Sequence, residues 1–562
     1  MSITQTSLSD VANSETIPRK TANYHPSLWG DFFMTFTCDH TNMDKLCEES
    51  KILKEKVRNM VKEDLNSENI GEKLEMIDAI ERLGIGYHFE KEIEELLHNI
   101  FKIYNSNHQQ HYYHLQIVAL LFRLLRQHGI NISSDVFNKF KDNEGKFNKA
   151  MKDDIEGIVS LYEATYLRLH GEIILEEAHA FTKPILESQA THDQLIIKPY
   201  LRKLVTHAIH RPLRKSLPRV STWDYISIYQ LNDMHDVILL KFAKIDFNLL
   251  QIQHVKELCI ISKWWKDLEV EKNFPFARDR IVELYFWMVG VYYEPQYELA
   301  RKFICKVIAI CSILDDIYDV YGTPLELQLF TQAIQRWDSS AEDELPAEYM
   351  KIIFREMVKV YREMEEELSK EGRSFAVTYA KEEMKKATRA FLEESKWLEE
   401  KKIPSVEEYL RVACVSTCYP MLCVASLVGM GDIATKDAFD WFVNGPPIIN
   451  SSALICRLMD DIVSHQLERE REHVPSGVEC YMNEHKVGTK EAYETFKAQI
   501  ENAWVDINEA FMDPNAPPIP LLTRVLNFAR VIDLLYKHED AYTHPHNTKH
   551  LITSLFVNPL PI

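Results

Sequence analysis

Apolar residues recur along this chain at intervals of three and four, and almost no stretch alternates with period two over the length of a strand. The pattern predicts helices and an all-α protein. The clearest case is Ile353, Met357, Val360, Met364 and Leu368, which follow one another at spacings of four, three, four and four while Arg355, Glu356, Arg362, Glu363 and Glu366 take intervening places. One apolar stripe and one charged face result, and Gly372 stands where that helix should stop. Leu74, Ile77 and Ile80 open a similar pattern that ends at Gly84. No repeat of roughly 20 to 50 residues points to a solenoid. From Val412 to Gly431 there is no charged residue, a run long enough to cross a bilayer. It contains Ser416, Thr417, Tyr419, Pro420 and Ser426 and lacks flanking stop-transfer charges, so a buried, interrupted core helix is expected there rather than a membrane span.

Composition narrows the functional classes. The 562 residues are 46% apolar and 11% aromatic, enough for a large core and too hydrophobic for global disorder. Only 16 glycines argue against glycine-rich phosphate loops and repeated hairpins. With 85 acidic against 65 basic residues the net charge is −20, which repels phosphate backbones and anionic leaflets, so neither a nucleic acid nor a membrane is expected as partner. Ten cysteines without a CxxC pair fit reduced thiols. The first twenty residues lack an apolar signal core, and Asp10 and Glu15 suit an organellar transit peptide poorly, so a cytosolic address is expected. Between 210 and 223, Pro212 and Pro218 accompany Arg211, Arg214, Lys215 and Arg219, with no aromatic interleaving of the charges. That run reads as a solvated linker between two helical domains.

The chemistry concentrates in FICKVIAICSILDDIYDVYGT. Asp315 and Asp319 stand at i and i+4, and Asp316 and Asp319 at i and i+3, so on an α-helix the carboxylates share a face inside an otherwise apolar segment. Such charges repel, and burying them unpaired is costly, so something positive must meet them. Carboxylate oxygens are hard ligands and no His or Cys stands within the cluster, which favours Mg²⁺ or Mn²⁺ over zinc; the competing reading is an exposed acidic turn. Gly322 can end the helix, and Thr323, Pro324 and Glu326 then read as N-cap, N1 and capping-box N3 of the next. A second stripe lies in ICRLMDDIVSHQLERERE, where Asp460, Ser464 and Glu468 stand at i, i+4 and i+8 with Arg457 one turn earlier. Two carboxylates and a hydroxyl form another oxygen set for a hard cation, whereas Arg469 to Glu472 read as a solvated face.

These motifs resemble those of plant class I terpene synthases, most closely the sesquiterpene-forming branch. DDIYD at Asp315 to Asp319 looks like the family's aspartate-rich motif, and DDIVSHQLE at Asp460 to Glu468 is similar to its second metal motif. Further matches are the RDR of Arg278 to Arg280, YFW at Tyr285 to Trp287, EPQY at Glu294 to Tyr297, and Tyr536, Asp540 and Tyr542 before THP at 543 to 545. In the N-terminal half, RLGIGYHFE at Arg82 to Glu90 and LYEATYLRLHGE at Leu161 to Glu172 match as well, and no DxDD acid motif occurs there. Arg19-Lys20, separated from Trp29 by eight residues, replaces the tandem arginine usual in monoterpene-forming relatives.

The resemblance implies an N-terminal segment (1–35), a non-catalytic α-barrel-like domain (36–228) and a catalytic domain of class I terpenoid synthase fold (229–562). It implies a carbon–oxygen lyase acting on phosphates, which ionises farnesyl diphosphate and cyclises the cation to a sesquiterpene; the alternative is a monoterpene or acyclic terpene alcohol synthase using geranyl or farnesyl diphosphate. Asp315, Asp316, Asp319, Asp460, Ser464 and Glu468 would hold three Mg²⁺, with Mn²⁺ as a substitute. Arg278, Arg280 and Arg457, together with Asp315, Asp319 and Asp460, would take the diphosphate, Arg serving bidentate contacts better than Lys. Trp287, Tyr536, Asp540 and Tyr542 would line and close the site, and Pro275 places the RDR on a loop. The Val412 to Gly431 segment would present backbone carbonyls to the cation, although Pro420 within it departs from the family pattern. A monomer is expected.

Overall fold

The structure is a computed structural model whose described residues are 19, 24–36, 40–66, 68–106, 113–191, 198–468 and 474–562, without the side chains of 40–42 and 466–468. The N-terminal stretch with Asp10 and Glu15, Lys20, the Glu468 side chain and the run 469–472 lie outside the described residues. Helices and short helical turns account for the regular structure, and no strand occurs among the described residues beyond one isolated bridge, Lys141 to Phe147. The helix expected from the 353–368 stripe runs Glu348–Ser369 and buries all five stripe residues, with Gly372 just beyond in a left-handed conformation (φ 70°).

The chain forms two compact units that interleave along the sequence, whereas the sequence reading divides it in order. One comprises 37–254, 505–522 and 550–562; the other comprises 1–36, 255–504 and 523–549, and helix Val237–Asp267 carries the chain across the boundary. In the first unit, Leu115–Gln127 packs on Ile155–Thr165, which packs on Ile173–Thr191. Helix Ile70–Arg82 buries Leu74, Ile77 and Ile80, and Gly84 (φ 75°) follows it against Thr222, whose Oγ1 would lie 2.6 Å from any added Cβ. The run 210–223 is not a solvated linker. Arg214 and Arg219 are buried, with Arg214 Nε donating to Asn508 Oδ1 at 2.8 Å and Arg219 to the Phe247 carbonyl at 2.7 Å. Their guanidinium groups lie over the Phe511 and Phe247 rings at 4.5 and 3.6 Å, so aromatic partners distant in sequence pull the charges inward. Pro218 begins helix Pro218–Tyr229 instead of breaking one.

In the second unit, Ile281–Val291 is buried along its whole length and packs on Glu298–Asp316. Phe375–Glu400 packs against Pro324–Arg336, Val406–Ser416 and Tyr419–Ser426, and Pro447–Glu468 covers the last two. The uncharged 412–431 segment is the buried, interrupted element expected. It breaks at Cys418, a non-glycine residue at φ 60°, and Pro420 sits in the first turn of the helix that follows, where its missing N–H leaves no bond unmade. The described cysteines are free thiols.

Candidate active site

Helix Glu298–Asp316 delivers Asp315 and Asp316, and a π-helical turn, Ile317–Tyr321, delivers Asp319. That turn closes with Gly322 N–H donating to the Ile317 carbonyl at 2.8 Å. An added Cβ on Gly322 would lie 3.0 Å from the same carbonyl and against Leu327, so glycine is there for space. Pro324–Arg336 then starts as expected, Glu326 accepting from Thr323 N–H at 3.0 Å. Glu326 also receives Arg19, at 2.7 and 2.9 Å, and Arg19 donates to the Tyr321 carbonyl at 3.2 Å, so the N-terminal segment is tied to the end of the π-helical turn.

The three aspartates do not share one environment. Asp315 lines a cavity of about 160 Å³; Asp316 is 1% exposed and turned onto Arg278; Asp319 reaches solvent. Arg278 donates from its backbone N–H to Asp316 Oδ2 at 2.9 Å and from a terminal nitrogen to Asp315 Oδ2 at 2.5 Å, its Nε lying 3.1 Å from Asp316 Oδ1. Burial raises the Asp316 carboxyl while Arg278 pulls it back. A fourth carboxylate, Glu394 on Phe375–Glu400, joins the group; burial raises its pKa, and Arg457 and a hydrogen bond with Ser416 oppose the shift.

Helix Pro447–Glu468 supplies the second set. Arg457 donates to the Ala413 carbonyl (3.3 Å), Asp460 (3.2 Å) and Ser416 Oγ (3.4 Å), and Arg457 and Asp460 both line the cavity. The adjacent Asp461 turns away, accepting from Tyr409 Oη at 2.8 and 3.0 Å and from Gly477 N–H at 3.1 Å; burial pushes its pKa up to about 7. Ser464 Oγ is buried and has no hydrogen-bond partner among the described residues. The residues fit a hard divalent cation by donor chemistry: the expected ligands are oxygens, the first group is crowded with like charge, and the Ser464 hydroxyl is unspent. The first group is not gathered to coordination distance, since Arg278 sits on Asp315.

Below these polar groups the cavity turns apolar and aromatic, lined by Leu284, Trp287, Ile308, Phe391, Tyr419 and Leu422. Trp287 meets Tyr542 edge to face at 6.0 Å between ring centroids, and Tyr419 at 6.4 Å. Ser416, Thr417 and Cys418, at the helix break, line it too. Tyr536, Asp540 and Tyr542 all reach the cavity; Asp540 Oδ1 accepts from the Tyr542 and Thr543 N–H groups at 2.9 Å each, and Tyr542 Oη lies 2.5 Å from Ser312 Oγ. Asp316, Asp319 and Ser464 do not line the cavity, and neither does Arg280. Fully buried, Arg280 donates to the carbonyls of Tyr542 (3.1 Å), Thr543 (3.1 Å) and Asp279 (2.8 Å).

Sequence reasoning missed Glu394, Asp461 and Tyr409. The signal for Glu394 was present: Ala387, Phe391 and Trp397 place it on the apolar stripe of its helix.

Residues 266–506 match the terpene synthase family metal-binding domain, and residues 28–209 match the terpene synthase N-terminal domain. The chain belongs to the terpene synthase family. It is 50% identical over 551 residues to a (−)-germacrene D synthase of Vitis vinifera, covering 98% of this chain and 97% of that protein. It is 48% identical over 564 residues to a valencene synthase of Vitis vinifera, covering 99% of each. Among solved structures, an isoprene synthase of grey poplar in complex with three Mg²⁺ ions and dimethylallyl-S-thiolodiphosphate superposes with a TM-score of 0.84 at 30% identity, covering 95% of this chain and 99% of that one. The chain is thus a terpene cyclase, a lyase of diphosphate esters with a metal-binding catalytic domain.

Proposed function

We propose that this terpene synthase converts farnesyl diphosphate to a sesquiterpene, with Mg²⁺ as the cation and three ions per site. The observation that carries the reading is one cavity with Asp315, Asp460, Arg278 and Arg457 at one end and a floor of aromatic and aliphatic side chains. The relatives named germacrene D and valencene synthases support the sesquiterpene product class.

The cations supply neutralisation of the departing diphosphate, which is a poor leaving group while its charge is exposed. Asp315, Asp319 and Glu394 would hold them on one side, and Asp460, Ser464 and Glu468 on the other. Arg457 and Arg278 would bind diphosphate oxygens. Arg278, which sits on Asp315, would leave it for the diphosphate when substrate binds. Asp316 then keeps Arg278 in place through its backbone N–H. Trp287, Tyr419 and Tyr542 turn ring faces or edges to the cavity, exclude water, and stabilise an allylic cation by about 0.5 to 2 kcal/mol per well-placed face. Arg280 acts through Tyr542 and Thr543, holding the segment that carries Asp540 and Tyr542 over the mouth. The enzyme works as a cytosolic monomer on this reading.

Chelation followed by metal return tests the clamp. Diphosphate release from farnesyl diphosphate should stop with excess EDTA and resume with Mg²⁺, and Asp315→Asn should lower kcat by about a hundredfold or more with circular dichroism unchanged. Full activity in EDTA, or in Asp315→Asn, overturns the assignment.

A further inference from the structure

The RDR segment borders two cavities. Arg278 lines the catalytic one, while its neighbour Asp279 lines a second, of about 530 Å³, within the same compact unit. Five carboxylates meet two lysines around this second cavity, and both lysines are already committed, Lys266 to Asp31 at 3.2 Å and Lys272 to Glu269 at 2.7 Å. Asp267, Glu271 and Asp279 form no ion pair among the described residues. Asp279 accepts the Trp265 indole N–H at 2.8 Å, and burial raises its pKa. An independent observation marks the lining as a receptor surface: Ser262 is 7% exposed, lines the cavity, and its hydroxyl has no hydrogen-bond partner among the described residues.

We infer that this cavity binds a linear organic polyammonium ion. A net excess of three carboxylates selects for positive charge, and the lining offers acceptors, carboxylates and a hydroxyl, to groups that only donate. Single metal ions are poorly served, because among the described residues no three His, Cys, Asp or Glu donors in this cavity lie within 4.8 Å of one another. Spaced carboxylates suit spaced ammonium groups. Trp265, Val270 and Ile281 provide apolar wall for the methylenes between them, and the volume lies in the range of small-molecule sites.

Titration calorimetry at fixed ionic strength, on the full chain without substrate, tests this with spermidine, butylamine and MgCl₂ as separate probes. Spermidine should bind saturably at one site per chain, at least tenfold tighter than butylamine, and excess Mg²⁺ should not displace it. The double variant Asp267→Asn/Glu271→Gln, altered only at exposed side chains, should weaken spermidine at least tenfold, and Ser262→Ile should do so by filling the floor. Asp315→Asn, in the catalytic cavity, should leave the affinity unchanged, which separates this inference from the catalytic assignment. Non-saturable heats, unchanged affinity in the double variant, or loss in Asp315→Asn overturns it.

Discussion

Replacing Arg280 by methionine keeps most of the aliphatic stem and deletes the guanidinium. Three donors are lost, of which Nε to the Tyr542 carbonyl and a terminal nitrogen to the Thr543 carbonyl, both at 3.1 Å, join the RDR segment to the C-terminal segment. A hydrogen bond from a charged donor contributes about 1.5 to 3 kcal/mol, so the two together contribute about 3 to 6 kcal/mol to holding residues 542–543. The freed carbonyls regain water once the segment opens, which leaves about 3 kcal/mol as the expected loss against local opening. At about 1.4 kcal/mol per decade that is roughly a hundredfold larger open population. Hydrogen exchange followed by mass spectrometry should therefore show amides in 540–548 exchanging roughly a hundred times faster, with helix Glu298–Asp316 unchanged. Arg280→Lys should recover little, because one ammonium cannot span two carbonyls as the planar fork does. In kinetics kcat should fall more than KM rises, since water then reaches the cation. Unchanged exchange combined with a raised KM for the diphosphate would refute the reasoning and return Arg280 to substrate binding.

Three further outcomes follow from particular atoms. Ser464→Ala should raise the half-saturating Mg²⁺ concentration roughly tenfold in calorimetry while leaving metal-free stability unchanged, because the hydroxyl makes no bond among the described residues; unaltered affinity would remove Ser464 from the ligand set. Gly477→Ala would put a Cβ 2.5 Å from Asp461 Oδ2 and 2.9 Å from a Tyr409 ring carbon, so a loss of about 1 to 3 kcal/mol is expected, read as a lower Tm; an unchanged Tm contradicts that packing. Burial lifts the Glu163 carboxyl from 4.5 to about 7, against the opposing Leu213 N–H at 2.8 Å. The folded state therefore holds that proton more tightly than the unfolded state. This contribution falls as pH rises from about 4.5 to 7, by about 3 kcal/mol, and stays low above. Glu163→Gln should flatten that slope in denaturation at pH 5 and pH 8, and an identical slope would sink the assignment.

Much of the fold was legible because single helices announce themselves. The 353–368 stripe, the glycines at 84 and 372, and the Thr323–Pro324–Glu326 start each depend on neighbours within a few residues, and each stands as read. What escaped depends on partners far away in the chain. Arg214 and Arg219 read as solvated until Phe511 and Phe247 supply faces for them. Arg280 reads as a diphosphate ligand until the carbonyls of Tyr542 and Thr543 claim it. In the site, α-helical spacing grouped Asp315, Asp316 and Asp319 on one face, but Arg278, distant in sequence, claims Asp316, and the π-helical turn, whose geometry no local pattern specifies, carries Asp319 toward solvent. The net charge of −20 describes the chain as a whole, yet the cavity sets Arg278 and Arg457 among the carboxylates, so local charge cannot be read from the total.

The central claim is that the cavity ionises farnesyl diphosphate and shields the resulting cation. Incubating the purified chain with farnesyl or geranyl diphosphate and Mg²⁺, then analysing the volatile extract by mass spectrometry alongside released diphosphate, tests it directly. The expected result is a fifteen-carbon hydrocarbon or alcohol formed with a higher kcat/KM than any ten-carbon product. Folded, metal-loaded protein that yields no terpene, or that prefers geranyl diphosphate, would contradict it.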